Sequence, residues 1–164
     1  MIAASCFFPV IAQTTDIDVM TQIIKDKIEL KELVDVFSVL ADRKDAKAQE
    51  ALFTENAVVN SYREGKLIST LQGREQIGVG FGNFLALFDT VYHINGQQVV
   101  TIDGDKATGI SYCQVVLIGE ENGKRIMTTQ GVTYDDEYLR IDGKWRIAKR
   151  TSHFVWSDRK TVKK

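Results

Sequence analysis

Two histidines, His93 and His153, are the only imidazoles in the sequence, and both stand in segments of strand composition. Imidazole titrates nearest neutrality, so these are the first places to seek acid–base chemistry. His153 alternates with Thr151 and Lys149 on one strand face, which makes it either a second acid–base group or a rim and subunit-contact residue. Cys113 is a candidate nucleophile, yet the sequence sets no base beside it, and a small core residue is its other reading. Tyr62, Tyr112 and Tyr134 carry hydroxyls able to hydrogen-bond a ligand carbonyl or phenol, and amphipathic rings of this kind also form walls and interfaces. There is no C-x-x-C, no H-E-x-x-H and no histidine pair at helical spacing, so no transition-metal site is expected. Gly78-Val79-Gly80-Phe81-Gly82 lacks the preceding strand pattern and the Lys-Ser/Thr pair of a phosphate-binding loop. No cofactor is expected.

These residues sit in a chain of 164 residues, 44% hydrophobic and 26% charged, which is enough for one core and short for two. Twenty-one basic residues oppose twenty-two acidic ones, so no overall field draws the protein to nucleic acid or an anionic membrane. Cys6 and Cys113 allow at most one bridge, which excludes a disulfide framework. Met1 to Ala12 is apolar and closes on Val10-Ile11-Ala12 before Gln13-Thr14-Thr15, similar to the cleavage region of a secretory signal, though without a basic start. Ala4-Ser5-Cys6 faintly resembles a lipoprotein processing site. An arm packed on the domain is the alternative. Residues 1–15 are therefore set apart as signal remnant or arm, 16–157 as a single domain, and 158–164 as a basic, solvated and frayed tail. The protein is exported, periplasmic or secreted, in the first case and cytoplasmic in the second. No other segment approaches the ~20 apolar residues of a membrane span.

The elements that position the chemistry follow from periodicity. From Asp18 onward, Leu30, Leu33, Val34, Phe37, Leu40 and Ala41 form the apolar stripe of an amphipathic helix ending at Asp42-Arg43-Lys44. Asp45 stands as N-cap to a short second helix running through Phe53, and Asp35 reads as an exposed helix residue. Ala57 to Tyr62 and Lys66 to Thr70 form a hairpin about Glu64-Gly65. Glu75 to Leu87 has helical spacing, although its glycines each weaken an isolated helix by about 1 kcal/mol. Asp103-Gly104-Asp105, Glu121-Asn122-Gly123 and Asp142-Gly143 then divide His93 to Trp156 into four consecutive antiparallel strands. Simple alternation groups His93 with Asn95, Gln97 and Val99, and Trp145 with Ile147, Lys149, Thr151 and His153. Neither sheet face is cleanly polar. One face packs under the helices, and the other offers a surface for a second subunit. A sheet coiled at Ala107, Gly109 and Gly131 under three helices makes a cone with a cavity.

This order of elements resembles the nuclear transport factor 2-like superfamily, closest to its SnoaL-like and scytalone dehydratase-like branch. The strings that carry the resemblance are Ala41-Asp42-Arg43-Lys44-Asp45, Leu52-Phe53-Thr54-Glu55-Asn56-Ala57, Tyr92-His93-Ile94-Asn95-Gly96, Ser111-Tyr112-Cys113-Gln114 and Ile141-Asp142-Gly143-Lys144-Trp145-Arg146, spanning roughly residues 20 to 157. The resemblance implies an α+β cone: a curved antiparallel sheet covered by about three N-terminal helices. It also implies a pocket in which Asp42, after the first helix, bonds His93. The family's second histidine falls on Cys113, its third-strand polar residues near Val132 and Tyr134, one tyrosine near Ser61 or Tyr62, and another on Ala41. Dehydration of scytalone itself is therefore not expected. Two functions follow. In one, a cofactor-free dehydratase, isomerase or cyclase acts on a small, apolar or aromatic carbonyl compound: His93 moves a proton, Asp42 orients it, and Tyr62 or Tyr112 polarises the oxygen, with Cys113, Tyr134 and His153 as further ligand contacts. In the other, Asp42 and His93 only fasten helix to sheet, and the protein is a ligand-binding or homodimerising module.

Overall fold

The computed structural model describes residues 11–163, with side chains from Asp16 onward. Of the signal-like segment Met1 to Ala12, residues 1–10 lie outside the described residues. The elements in chain order are α1 (Ile11–Asp42), α2 (Ala46–Glu50), β1 (Phe53–Arg63), β2 (Lys66–Gln72), α3 (Arg74–Leu85), β3 (Thr90–Asp103), β4 (Lys106–Glu121), β5 (Lys124–Ile141) and β6 (Lys144–Thr161). Tight turns join the strands where Asx-Gly and Glu-Gly pairs predict them. Glu64-Gly65, Asn122-Gly123 and Asp142-Gly143 each take positive φ at both central residues, the conformation whose twist matches that of the flanking strands.

The strands form one curved sheet in the order β2-β1-β6-β5-β4-β3. Strands β3 to β6 are the expected antiparallel meander. The sheet as a whole is mixed, however, because β1 lies parallel to β6, with Asn60 opposite Thr151 and Ser61 opposite Ser152. No hairpin links these two strands: the chain passes through β2, α3 and three strands of the meander before β6 returns to β1, and it arrives running the same way. The expected frayed tail is also corrected. Asp158 to Thr161 continue β6 on β5, with Thr129 opposite Asp158 and Ile126 opposite Thr161.

The helices cover one face. Leu30, Leu33, Val34, Phe37 and Ala41 of α1 are buried, and the main core joins the first four of these to Phe53, Ala57, Val59, Ile77, Tyr138, Trp145 and Ile147. Asp45 caps α2 by accepting the backbone N–H of Ala48 at 2.9 Å. That helix stops at Glu50 rather than Phe53, because the Leu52 carbonyl accepts from Ile147 N–H and draws Phe53, 0% exposed, into β1. In α3, a Cβ at Gly80 would lie 2.7 Å from Leu71 Cδ1, so close packing on β2 explains a glycine that helix propensity alone disfavours. Arg140 ties α1 to the last hairpin: it reaches Asp26 at 2.7 Å and Asp105 at 2.9 Å while its guanidinium lies over the Trp145 ring at 4.4 Å. Among the described residues no helix is long and apolar enough to cross a membrane.

Irregularities in β3 and β6 overturn the simple alternation. In β3 the register skips between Asn95 and Gln98, so Val91, His93 and Asn95 face the helices and then Gln98, Val100 and Ile102 do, while Val99 is 71% exposed. In β6 the register shifts where Ile147 pairs with Tyr138 but Lys149 pairs with Glu137. The extra residue is Ala148. Trp145 and Ile147 point inward before it, and Arg150 and Ser152 point inward after it. A one-residue bulge reverses the side chains beyond it, which moves Lys149, Thr151 and His153 to the outer face, and a second shift, where Phe154 pairs with Val132 but Trp156 with Gly131, puts Trp156 there too.

Candidate active site on the inner face

Asp42 is the last residue of α1, and the chain turns immediately after it through Lys44, at φ 58°. This delivers its carboxylate to the first inward residues of β3. Asp42 Oδ1 lies 2.7 Å from His93 Nδ1, and Oδ2 accepts the backbone N–H of His93 at 3.3 Å. A carboxylate against Nδ1 selects the tautomer with the proton there, so Nε2 carries the lone pair. The His93 side chain is 8% exposed and that of Asp42 26%, so the aspartate is the more open end of the pair. Burial lowers the imidazole's proton affinity; Asp42 opposes this and the Arg150 charge reinforces it, with a net lowering. This direction favours the neutral imidazole at pH 7. Further along the same helix and strand, Asn95 Nδ2 donates to the Val34 carbonyl at 3.2 Å and Asp35 Oδ1 at 2.9 Å. Asp35 is therefore half-buried and engaged, not a free surface residue. Ser38 donates to Asn95 Oδ1 at 3.0 Å, and Gln98 donates to the Leu30 carbonyl at 3.2 Å. These bonds set the height of α1 above β3.

Near the pair lies a cation that simple alternation puts on the face opposite Trp145 and Ile147. Arg150, 1% exposed, donates from Nε and Nη2 to Asp136 at 2.8 and 2.7 Å. Tyr138 donates to the same carboxylate at 2.8 Å. The guanidinium lies over the rings of Phe37 and Tyr134 at 4.2 and 4.4 Å. Burial opposes its charge, but Asp136 more than compensates and holds its pKa above the ordinary arginine value. Arg150 Nη1 and Ser111 Oγ are buried without a hydrogen-bond partner among the described residues. One signal for Arg150 was present in the sequence. Val132, Tyr134, Asp136 and Tyr138 alternate on one face, and an acid in such a row requires a cation opposite it. Lys149 and Arg150 were the two choices, and the bulge decides between them.

Cys113 and Tyr134 share a buried cluster with Ala41, Leu85, Val91, Val115, Leu117 and Val132. Burial pushes the Cys113 thiol up to about 11 and raises the Tyr134 hydroxyl as well, so neither ionises near neutrality. Tyr62, Tyr112 and His153 lie elsewhere. Tyr112 is 52% exposed on the outer face, where His153 Nε2 meets Asp135 Oδ2 at 3.0 Å and the imidazole stacks on Tyr62 with centroids 5.4 Å apart. Neither tyrosine assigned to polarise a substrate oxygen shares a face with His93. Two open concavities lie away from the pair: one of about 410 Å³ on the outer face, floored by Gly109 between Thr101 and Lys149, and one of about 770 Å³ at the rim, near Arg74 and Arg146. Among the described residues, no group of three or more acids, histidines and cysteines is arranged to hold a metal ion.

Residues 22–151 match the SnoaL-like domain family. An uncharacterised Mycobacterium tuberculosis protein is 25% identical over 128 residues, covering 77% of this chain and 84% of the relative. Among solved structures, a Novosphingobium aromaticivorans protein provisionally named a scytalone dehydratase superposes with TM-score 0.73 at 17% identity, over 88% of this chain and 93% of that one. A hexachlorocyclohexane dehydrochlorinase superposes with TM-score 0.70 at 18% identity, over 85% of this chain and 90% of that one. At these identities the structural likeness concerns the fold, an α+β cone of the nuclear transport factor 2-like kind.

Proposed function

Since the chain belongs to the SnoaL-like domain family, we propose that it is a cofactor-independent enzyme of proton transfer, a dehydratase, isomerase or cyclase acting on a small apolar or aromatic carbonyl compound. The observation that carries this reading is the 2.7 Å contact between Asp42 and a His93 side chain only 8% exposed. A neutral imidazole with its Nδ1 proton held by a carboxylate presents Nε2 as a base of fixed direction. His93 Nε2 takes a proton from the carbon beside the substrate carbonyl, and the C–H electron pair becomes the new double bond. In a dehydration, the β-hydroxyl leaves as water with the proton returned by His93; in an isomerisation, that proton goes to another carbon. Asp42 stabilises the transient imidazolium. The names of two structural neighbours, a dehydratase and a dehydrochlorinase, denote loss of water and of hydrogen chloride, which favours elimination within this group.

The test is turnover of a panel of β-hydroxy ketones and β-hydroxy thioesters, read by the absorbance of the conjugated product. Wild-type protein is expected to form product on at least one member, and His93→Gln to lose at least about 100-fold in rate while keeping the native circular dichroism. Equal rates for the two proteins would defeat the reading.

The outer sheet face supports the second reading, of a homodimerising module, whether or not the inner site is catalytic. Tyr92, Ile94, Val99, Ile110, Tyr112 and Trp156 are each about half exposed or more on this face. A second copy of the chain is the proposed occupant. In sedimentation equilibrium, Tyr112→Glu with Val99→Glu is expected to give a monomer where the wild type is a dimer; a wild-type monomer would rule the interface out.

A further inference from the structure

The proton-transfer chemistry requires something that His93 and Asp42 do not supply. When a base removes a proton beside a carbonyl, negative charge accumulates on the carbonyl oxygen, and a buried site must present hydrogen-bond donors there. The tyrosines suited to this role by residue type, Tyr62 and Tyr112, lie on the other side of the sheet.

Arg150 and Ser111 carry buried inner-face donors without a partner among the described residues. Arg150 uses one edge of its guanidinium, Nε and Nη2, on Asp136, and Nη1 points away from that carboxylate without a partner among the described residues. Asp136 in turn accepts three bonds, from Nε, Nη2 and the Tyr138 hydroxyl. It therefore neutralises the cation without occupying the remaining donor. Ser111, 2% exposed, sits opposite Tyr134 in the β4–β5 ladder, and the Tyr134 ring is the one over which the Arg150 guanidinium lies. Its hydroxyl likewise has no partner among the described residues. A buried donor left unpaired is costly, and a folded chain retains two on one face with difficulty unless something else accepts from them.

We infer that Arg150 Nη1 and Ser111 Oγ form an oxyanion subsite, which selects substrates presenting an enolisable carbonyl or a phenolic oxygen toward the inner face of β4 and β6. This rests on the proton-transfer reading of His93 and deepens it. The C–H electron pair moves toward the carbonyl as His93 Nε2 takes the proton, and the two donors stabilise the resulting enolate oxygen without transferring a proton to it. The guanidinium needs no further counter-ion during this step, because Asp136 already balances it.

The experiment uses para-nitrophenol, whose phenol and phenolate forms have different absorption spectra. Wild-type protein is expected to bind the phenolate about tenfold or more in preference to the phenol, seen as ionisation of the bound dye at lower pH than the free dye. Ser111→Ala removes one donor and no folded-state partner. It is expected to reduce that preference several-fold with the melting temperature unchanged. Arg150→Met is expected to abolish the preference; because it strands Asp136, Ser111→Ala is the decisive variant. A wild-type protein that binds both forms equally, or neither, overturns the subsite, and so does a Ser111→Ala protein with the full wild-type preference, whatever Arg150→Met does. Failure of the proton-transfer reading looks different: the dye preference persists in the wild type while His93→Gln turns over at the wild-type rate.

Discussion

On the inner face His93 Nδ1 meets Asp42 at 2.7 Å with the imidazole 8% exposed; on the outer face His153 Nε2 meets Asp135 at 3.0 Å with the imidazole 41% exposed. The same contrast recurs between adjacent rungs of one ladder. Asp136 and Arg150 are 0% and 1% exposed, whereas Glu137 and Lys149 are 58% and 44% exposed. Each face thus holds a histidine–aspartate pair and a cation–carboxylate pair. What differs is access to water. Outside, solvent screens both pairs and each side chain exchanges its partner for water at little loss. Inside, desolvation lowers the His93 proton affinity and holds Arg150 to its counter-ion. Residue type alone would nominate both histidines, and burial separates them.

The sharpest way to break this comparison is by rate. His93→Gln is expected to reduce turnover by about 100- to 10,000-fold, and His153→Gln to leave kcat/KM unchanged, in steady-state assays of a substrate found with the β-hydroxy carbonyl panel. Equal losses would mean that the faces are not functionally distinct. The next effect is on stability. Arg150→Met leaves Asp136 buried and unpaired and is expected to cost about 3–5 kcal/mol in urea unfolding, against less than about 1 kcal/mol for Lys149→Met. Replacing both members of the inner pair by apolar residues should recover much of that loss.

A smaller effect follows from pH. The folded His93 pKa lies below its unfolded value near 6.5, so as pH falls through 6.5 the unfolded chain binds a proton that the native chain does not. The corresponding stability is present above pH 6.5 and declines as pH drops toward the folded pKa. Wild-type protein should therefore lose stability over this window more steeply than His93→Gln, in denaturant titrations at stepped pH. Asp42→Asn should move the His93 titration lower still, since the aspartate opposes the lowering; ring-proton NMR reads the sign. The smallest expected effect is at the outer pair, where Asp135→Asn should change stability by no more than a few tenths of a kcal/mol.

Much of the fold was legible because it is written locally. Asn122-Gly123 and Asp142-Gly143 specify their turns within two residues, and the stripe Leu30, Leu33, Val34, Phe37 specifies the buried side of α1. Asp45 announces its cap in the same way. The parallel contact of β1 with β6 was not legible, because it depends on where a strand arrives after a long excursion. The reach of α2 was misread because Phe53 suits either element, and pairing of Leu52 with Ile147 decides the matter. The candidate site was divided on the same principle. Asp42 and His93 were found through a resemblance that supplies the spacing of distant elements. Arg150 was missed because a period of two, counted from Trp145, places it outside, and nothing in the residues around Ala148 declares the extra one.

That extra residue bears on how such a protein can change by descent. Substitutions can alter Arg150 and Lys149 one at a time, but loss of one residue at Ala148 exchanges interior for surface over all the following rungs. The buried arginine, Ser152 and Phe154 would then be gained or lost together, as one inherited block. A lineage that keeps the Asp142-Gly143 turn can thus acquire or abandon a charged interior in one step, with the hairpin and its backbone pairing otherwise intact.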